Sequence, residues 1–125
     1  MKTIMIVDDA TTVRCYHKAI VANATRHIEE AENGIEALEK ATGKDIDLFM
    51  VDVNMPKMDG YRLCQAIRAS DELNAVPIIM ISTESETKDA NKAFSVGANF
   101  YLNKPVDASE LSTLVSLMLG EVSYE

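Results

Sequence analysis

Cysteine is scarce in this sequence. Only Cys15 and Cys64 are present; they form no CxxC pair, and two are too few for a disulfide framework. Both are expected to be reduced thiols, buried or half-buried on helices. A long apolar run is also missing. Near the N-terminus only Ile4-Met5-Ile6-Val7 precedes the charged pair Asp8-Asp9, far too short for a signal-peptide core or a membrane span. The expected location is therefore the cytoplasm, with no membrane partner. The sequon-like Asn23-Ala24-Thr25 means nothing without secretion. Positive charge is in deficit: 12 Lys and Arg stand against 20 Asp and Glu, a net −8. A surface that acidic repels phosphate backbones, so no nucleic-acid partner is expected. It suits a cation or a basic partner surface.

Several phosphate- and acyl-handling motifs are absent as well. Gly43-Lys44 is followed by Asp45, and Leu38 stands where a P-loop needs its first glycine. There is no GxGxxG for a dinucleotide and no GxSxG nucleophile elbow. No linker, repeat or low-complexity segment breaks the chain. Its 125 residues are therefore expected to form one domain, 1–125, with no output domain. Nearly half of them, 47%, are apolar, which is enough for one core.

What is present is an alternation of short apolar runs with longer amphipathic ones. Thr3 to Val7, Leu48 to Val51 and Pro77 to Ile81 read as strands, continuously apolar as strands buried on both faces are. Phe100 to Leu102 is a weaker strand. His27 to Ala31 is the weakest, placed there mostly because the alternation needs one. Between them the spacing predicts helices. One runs from a Thr11 or Thr12 cap to about Ala22, and one from Asn33-Gly34 to a stop at Gly43. Another follows Gly60 through Leu63, Ala66 and Ile67, and a fourth covers Glu86 to Val96, ended by Gly97. The last spans Ser109 to Leu119, with Leu111, Leu114, Val115 and Met118 at helical spacing. The order βαβαβαβαβα implies a doubly wound α/β sheet with right-handed crossovers.

The residues with chemical potential cluster at the strand ends. Asp8-Asp9 comes after the first strand, Asp52 ends the third, Ser82-Thr83 comes after the fourth and Lys104-Pro105 after the fifth. Open α/β sheets place their sites at these carboxyl ends. Each residue also has an ordinary reading. An aspartate favours a helix N-terminus, Asp52 could sit in a turn, Ser82 could cap a helix, and lysine is usually a solvated surface charge. Those readings do not explain why all of them fall on one rim. Three carboxylates together repel, and one pKa rises unless a cation intervenes. The ligand set is all oxygen, so hard Mg²⁺ suits it better than zinc. His17 and His27 are expected to lie away from the rim, outside any metal site.

In order along the chain, Asp8-Asp9, the nonapeptide Asp52-Val53-Asn54-Met55-Pro56-Lys57-Met58-Asp59-Gly60, Ile81-Ser82 and Lys104-Pro105 resemble the receiver domain of two-component response regulators. The likeness runs over essentially the whole chain. The Met-Pro and Met-Asp-Gly steps, Gly97-Ala98 and Tyr101 are similar to chemotaxis receivers of the CheY type. The resemblance implies a flavodoxin-like sheet of order 2-1-3-4-5. It implies that Asp52 is the phospho-acceptor, and that Asp8 or Asp9, with Asp52 and the backbone carbonyl of Asn54, holds Mg²⁺. Ser82 would donate a hydrogen bond to the phosphoryl group, and Lys104 would contact the carboxylate and then the phosphate. Tyr101 would change rotamer on activation. Asn54 and Glu84 would border the attacking water and set a short phosphoryl lifetime. The Lys104-Pro105 bond would be cis. Ser82 departs from the family's usual threonine, keeping the hydroxyl without the methyl.

The same resemblance implies partners. A histidine kinase would donate the phosphoryl group, a phosphatase could remove it, and a protein target would bind the face of the fourth helix, fifth strand and fifth helix. The protein itself is expected to be monomeric. Within the family, a motor-binding chemotaxis role, a relay intermediate and a phosphate sink all remain open. The charges agree with the scheme: Asp8, Asp9 and Asp52 sum to −3, which Mg²⁺ and Lys104 would cancel. Two rivals come from other classes. A flavin carrier needs a Ser/Thr/Gly-rich phosphate loop after the first strand, where Asp8-Asp9 would repel the cofactor. An aspartate-nucleophile phosphatase needs a second aspartate two residues after the first, where this chain has Asn54, which cannot transfer protons. A steady-state assay on a generic phosphate ester should therefore show no turnover; sustained hydrolysis would favour the phosphatase.

Overall fold

A computed structural model describes residues 1–121. Within them five strands alternate with five helices: β1 (Lys2–Val7), α1 (Thr11–Val21), β2 (Arg26–Ala31), α2 (Gly34–Ala41), β3 (Leu48–Asp52), α3 (Gly60–Ala69), β4 (Ile78–Ser82), α4 (Thr87–Ser95), β5 (Phe100–Asn103) and α5 (Ala108–Met118). The strands form one parallel sheet in the order β2-β1-β3-β4-β5, as the resemblance implied. This is the flavodoxin-like, doubly wound α/β fold.

The period-2 alternation of each strand divides the core into two layers. Met5, Val7, Phe49, Val51, Ile78 and Met80 point to one face and pack with Ala37, Leu63, Ile67 and Ala93 from α2, α3 and α4. Ile4, Ile6, Leu48, Met50, Ile79 and Ile81 point to the other and meet Val21, Leu111, Leu114 and Val115 from α1 and α5. β3 and β4 are buried at every residue, which accounts for their unbroken apolar runs. β2 and β5 are the edges. β2 carries charges because one flank of it faces water, so its sequence signal is weak, yet it pairs with β1 over all six residues from Lys2↔Arg26 to Val7↔Ala31.

The element ends differ from the sequence reading in instructive ways. β4 starts at Ile78 rather than Pro77, because proline has no N–H for the ladder; the Pro77 carbonyl still accepts from Phe49 N–H at 3.0 Å. Neither Thr11 nor Thr12 caps α1. Ala10 holds the N-cap position without a side-chain cap, and its N–H is taken by Asp8 Oδ1 at 2.9 Å. α4 has a capping box between Glu86 and Asp89, which places Glu86 just outside the helix. Cys64 is buried as expected, but Cys15 is exposed, because Arg14, His17 and Val21 form the inward stripe of α1 and Cys15 lies off it.

Gly60, at the start of α3, packs directly under the third strand. A Cβ there would stand 2.3 Å from the Asp52 carbonyl oxygen and 2.9 Å from Val53 Cα, both backbone atoms that cannot swing aside. Gly60→Ala should therefore lower stability by about 1–3 kcal/mol and displace Asp52. A urea unfolding midpoint equal to that of the parent would contradict this packing.

Candidate functional site

Register brings the strand ends level. Val7 pairs with Val51, so Asp8 and Asp52 stand side by side; Asp52 pairs with Ile81, and Ser82 with Asn103. Lys104 comes directly after β5. Its Nζ donates to Asp8 Oδ2 at 2.8 Å and to Asp52 Oδ1 at 2.9 Å, and all three side chains are largely buried. The Lys104-Pro105 peptide is cis, as the resemblance implied.

Asp8 is held at four points. Its N–H donates to the Ala31 carbonyl at 3.1 Å, its carbonyl accepts from Arg14 Nη1 at 2.6 Å, Oδ1 accepts from Ala10 N–H and Oδ2 from Lys104. Arg14 is itself buried and paired with Glu30 at 3.2 Å. Sequence reasoning passed over Arg14; a charged residue on the inward stripe of an amphipathic helix is the signal that could have found it. Asp9, by contrast, is exposed beside the buried Asp8 and Asp52, and each of the three can place a carboxylate oxygen within 4.8 Å of the others.

The electrostatics arise from this crowding. Burial pushes the Asp52 carboxyl above its ordinary value. The Lys104 hydrogen bond pulls it down, and the charges of Asp8 and Asp9 push it up again. Burial alone would lower Lys104, but its bonds to Asp8 and Asp52 outweigh that and hold it protonated. One ammonium does not offset three carboxylates. The donor set is all oxygen, so an added hard divalent cation fits the remaining charge.

Ser82 is fully buried. Its Oγ accepts from Glu84 N–H at 3.0 Å, and its carbonyl accepts from Lys104 N–H at 2.8 Å. Tyr101 is half-buried against the core, with its hydroxyl donating to the Glu84 carbonyl at 2.5 Å. Burial raises the phenol, and the nearby Ser82 hydroxyl lowers it. The Asn54 and Glu84 side chains are exposed at the mouth of the site. Lys57 has φ 67, and Met58 N–H closes on the Pro56 carbonyl at 2.7 Å. The loop after β3 thus contains a tight, strained turn.

One residue departs from expectation. His17 is not remote from the rim. It faces inward from α1, where burial lowers its pKa, while Asp8 raises it and Lys104 lowers it; the inward stripe of α1 crosses behind the site. Lys92 stacks over the Tyr61 ring at 4.3 Å from the centroid. Leu117, Phe94 and Phe100 are exposed. His27 lies on edge strand β2, bonded to Glu29. Burial pushes the Cys64 thiol up to about 11, which leaves it unreactive at neutral pH.

A buried aspartate at the end of a central parallel strand, bridged by a lysine to an acidic pair, on a 2-1-3-4-5 sheet, is the architecture of a signalling receiver domain. The chain belongs to the response regulator receiver domain family, whose model matches residues 4–116. It is 34% identical over 119 residues to the chemotaxis protein CheY1 of Helicobacter pylori, covering 94% of this chain and 96% of that protein. The crystallised CheY4 of Vibrio cholerae superposes with a TM-score of 0.88 at 31% identity, covering 95% of this chain and 99% of that one. The transcriptional regulatory protein ResD of Bacillus subtilis is 33% identical over 96% of this chain but only 49% of its own length. The chain spans about half the length of the transcriptional regulators it matches.

The raised Asp52 pKa has a thermodynamic sign. In the folded state Asp52 holds its proton more tightly than in the unfolded chain, so its ionisation withdraws stability as pH rises through the folded pKa. Asp52→Asn should raise the unfolding temperature at neutral pH in chelator. The gap should close in acid, where the parent carboxyl is protonated. A thermal melt series in which the gap is absent at neutral pH, or widens in acid, would refute this origin of the shift.

Proposed function

We propose that Asp52 is the phospho-acceptor of a switch in two-component signalling. The observation that carries the reading is the Lys104 ammonium, bonded at once to Asp52 and Asp8 on a buried rim. The donor is a phosphohistidine on a histidine kinase. A carboxylate oxygen of Asp52 attacks phosphorus, the P–N bond breaks, an acyl phosphate forms, and the imidazole takes up a proton. Lys104 then turns from the carboxylate to a phosphoryl oxygen, and the Ser82 hydroxyl donates to another. Asp8 or Asp9, with Asp52 and the backbone carbonyl of Asn54, would hold Mg²⁺, which would supply positive charge against the phosphoryl oxygens.

Asp8 contributes fixed charge. Its carbonyl and both carboxylate oxygens are held by Arg14, Ala10 and Lys104, so it needs no reorganisation when the phosphoryl group arrives. The exposed Asn54 and Glu84 side chains flank the path of the hydrolytic water and keep the signal short. The output surface is α4, β5 and α5, where Phe94, Phe100 and Leu117 are exposed, suited to the apolar side of an amphipathic partner. The end-to-end match to a chemotaxis protein supports a chemotaxis-type role for a monomeric, cytoplasmic protein, with a separate phosphatase as a further partner.

Acetyl phosphate with Mg²⁺ should add one phosphoryl group, read by intact-mass spectrometry and lost in Asp52→Asn. Ser82→Ala should still accept it, more slowly, yet fail to change partner binding. An undiminished adduct in Asp52→Asn would overturn the assignment of Asp52.

A further inference from the structure

The Glu84 peptide is held at both ends. Its N–H donates to Ser82 Oγ at 3.0 Å. Its carbonyl accepts two bonds, from the Tyr101 hydroxyl at 2.5 Å and from Asn103 Nδ2 at 2.7 Å. The same amide also reaches the Ser82 carbonyl at 3.4 Å. We propose that Asn103 is a positioning residue of the switch: it fixes the Glu84 carbonyl where the inward Tyr101 ring finds its acceptor. This rests on the reading of Asp52 as phospho-acceptor.

Tyr101 is packed against the core, and its hydroxyl meets the Glu84 carbonyl at the exposed edge of the loop. A fixed acceptor favours that rotamer over the others open to the ring. The partner belongs to a loop, Thr83 to Glu86, whose side chains are all exposed and which has no packing of its own to hold it still. A carbonyl oxygen has two lone pairs, and here Tyr101 and Asn103 use both. Asn103 is anchored by the sheet, in register with Ser82, so its amide can hold the loop from a fixed base. Asparagine is a poor strand residue and its side chain is exposed. Its bonds to the Ser82 and Glu84 carbonyls, rather than packing, set its effect on the fold.

The consequence reaches Asp52 through the loop. Glu84 N–H occupies an acceptor position of Ser82 Oγ and so orients the hydroxyl, whose proton would turn to a phosphoryl oxygen. Whatever stabilises the inward ring and this loop conformation therefore favours the phosphoryl group, and the reverse holds by linkage. The contribution of one exposed hydrogen bond corresponds to about two- to tenfold in an equilibrium constant.

Beryllium trifluoride with Mg²⁺ serves as a phosphoryl mimic, titrated into the parent, Asn103→Val and Asn103→Asp. Valine favours the strand, while aspartate keeps the size but repels the Glu84 carbonyl, so a shared effect isolates the lost donor. Both variants should bind the mimic about two- to tenfold more weakly, and the ¹⁹F signal of fluorotyrosine at Tyr101 should move toward its solvent-exposed position. In a Tyr101→Phe background, which lacks the shared hydroxyl, the same substitutions should lose most of their effect. Unchanged or tighter binding, an effect in only one variant, or full additivity with Tyr101→Phe would overturn the role of Asn103. Failure of the parent itself to bind the mimic would instead remove the phospho-acceptor reading, and this proposal with it.

Discussion

The Lys104 ammonium is the interaction on which the rest of the site depends. Removing carboxylates from water is costly, and breaking a buried ion pair leaves an uncompensated charge. Here two buried carboxylates share one buried cation, and a third carboxylate stands beside them in water. The arrangement is tolerable because Asp8 and the Lys104 backbone have further partners. Asp8 is pinned through its own N–H and carbonyl, by the Ala31 carbonyl and the Arg14 guanidinium, and through Oδ1 by the Ala10 amide. The Lys104 amide is tied to Ser82. Even so, Asp52 is left with a raised pKa, so the site retains a demand for positive charge that the chain does not meet.

That residual demand is what makes the site receptive. A fully neutralised cluster would have nothing to gain from a cation, and a cation-free carboxylate triad would repel an incoming phosphoryl group. The fold places this imbalance where strand order reverses, between β1 and β3, with β2 and β4 flanking them. There the helices leaving adjacent strands go to opposite faces and open a crevice. α1 goes to one face and α3 to the other, and the crevice between them exposes Asp9 while Asp8 and Asp52 stay buried.

From the rim the structure runs outward through hydrogen bonds rather than through apolar packing. Ser82, the Glu84 peptide, Tyr101 and Asn103 form a continuous set of contacts from the end of β4 to the end of β5. Beyond it lie the exposed Phe94, Phe100 and Leu117 of the neighbouring elements. A loop held by a few directional bonds has few alternative arrangements, and each differs by the loss of a whole bond. Such an element can pass a local charge change to a surface as one of two discrete conformations.

Much of this was legible in the chain. Continuous apolar runs identified the buried strands, helical spacing identified the helices, and the residues at four strand ends named Asp8, Asp9, Asp52, Ser82 and Lys104 before any contact was known. These features are local, set by periodicity and by the chemistry of single side chains. The edge strand β2 was faint, because its charges face water and only pairing with β1 makes it a strand. Thr11 does not cap α1 because it stands inside the first turn, with Ala10 at the N-cap, and its hydroxyl accepts from Arg14 Nη2. Arg14, the inward turn of His17 behind the rim, and the grip of Asn103 on Glu84 depend on which residues lie opposite one another across helices and strands. The sequence by itself determined which groups are available and on which elements they ride. Only the tertiary structure decided which of them meet, because hydrogen bonds and charge pairs form between residues that are distant along the chain and adjacent in space.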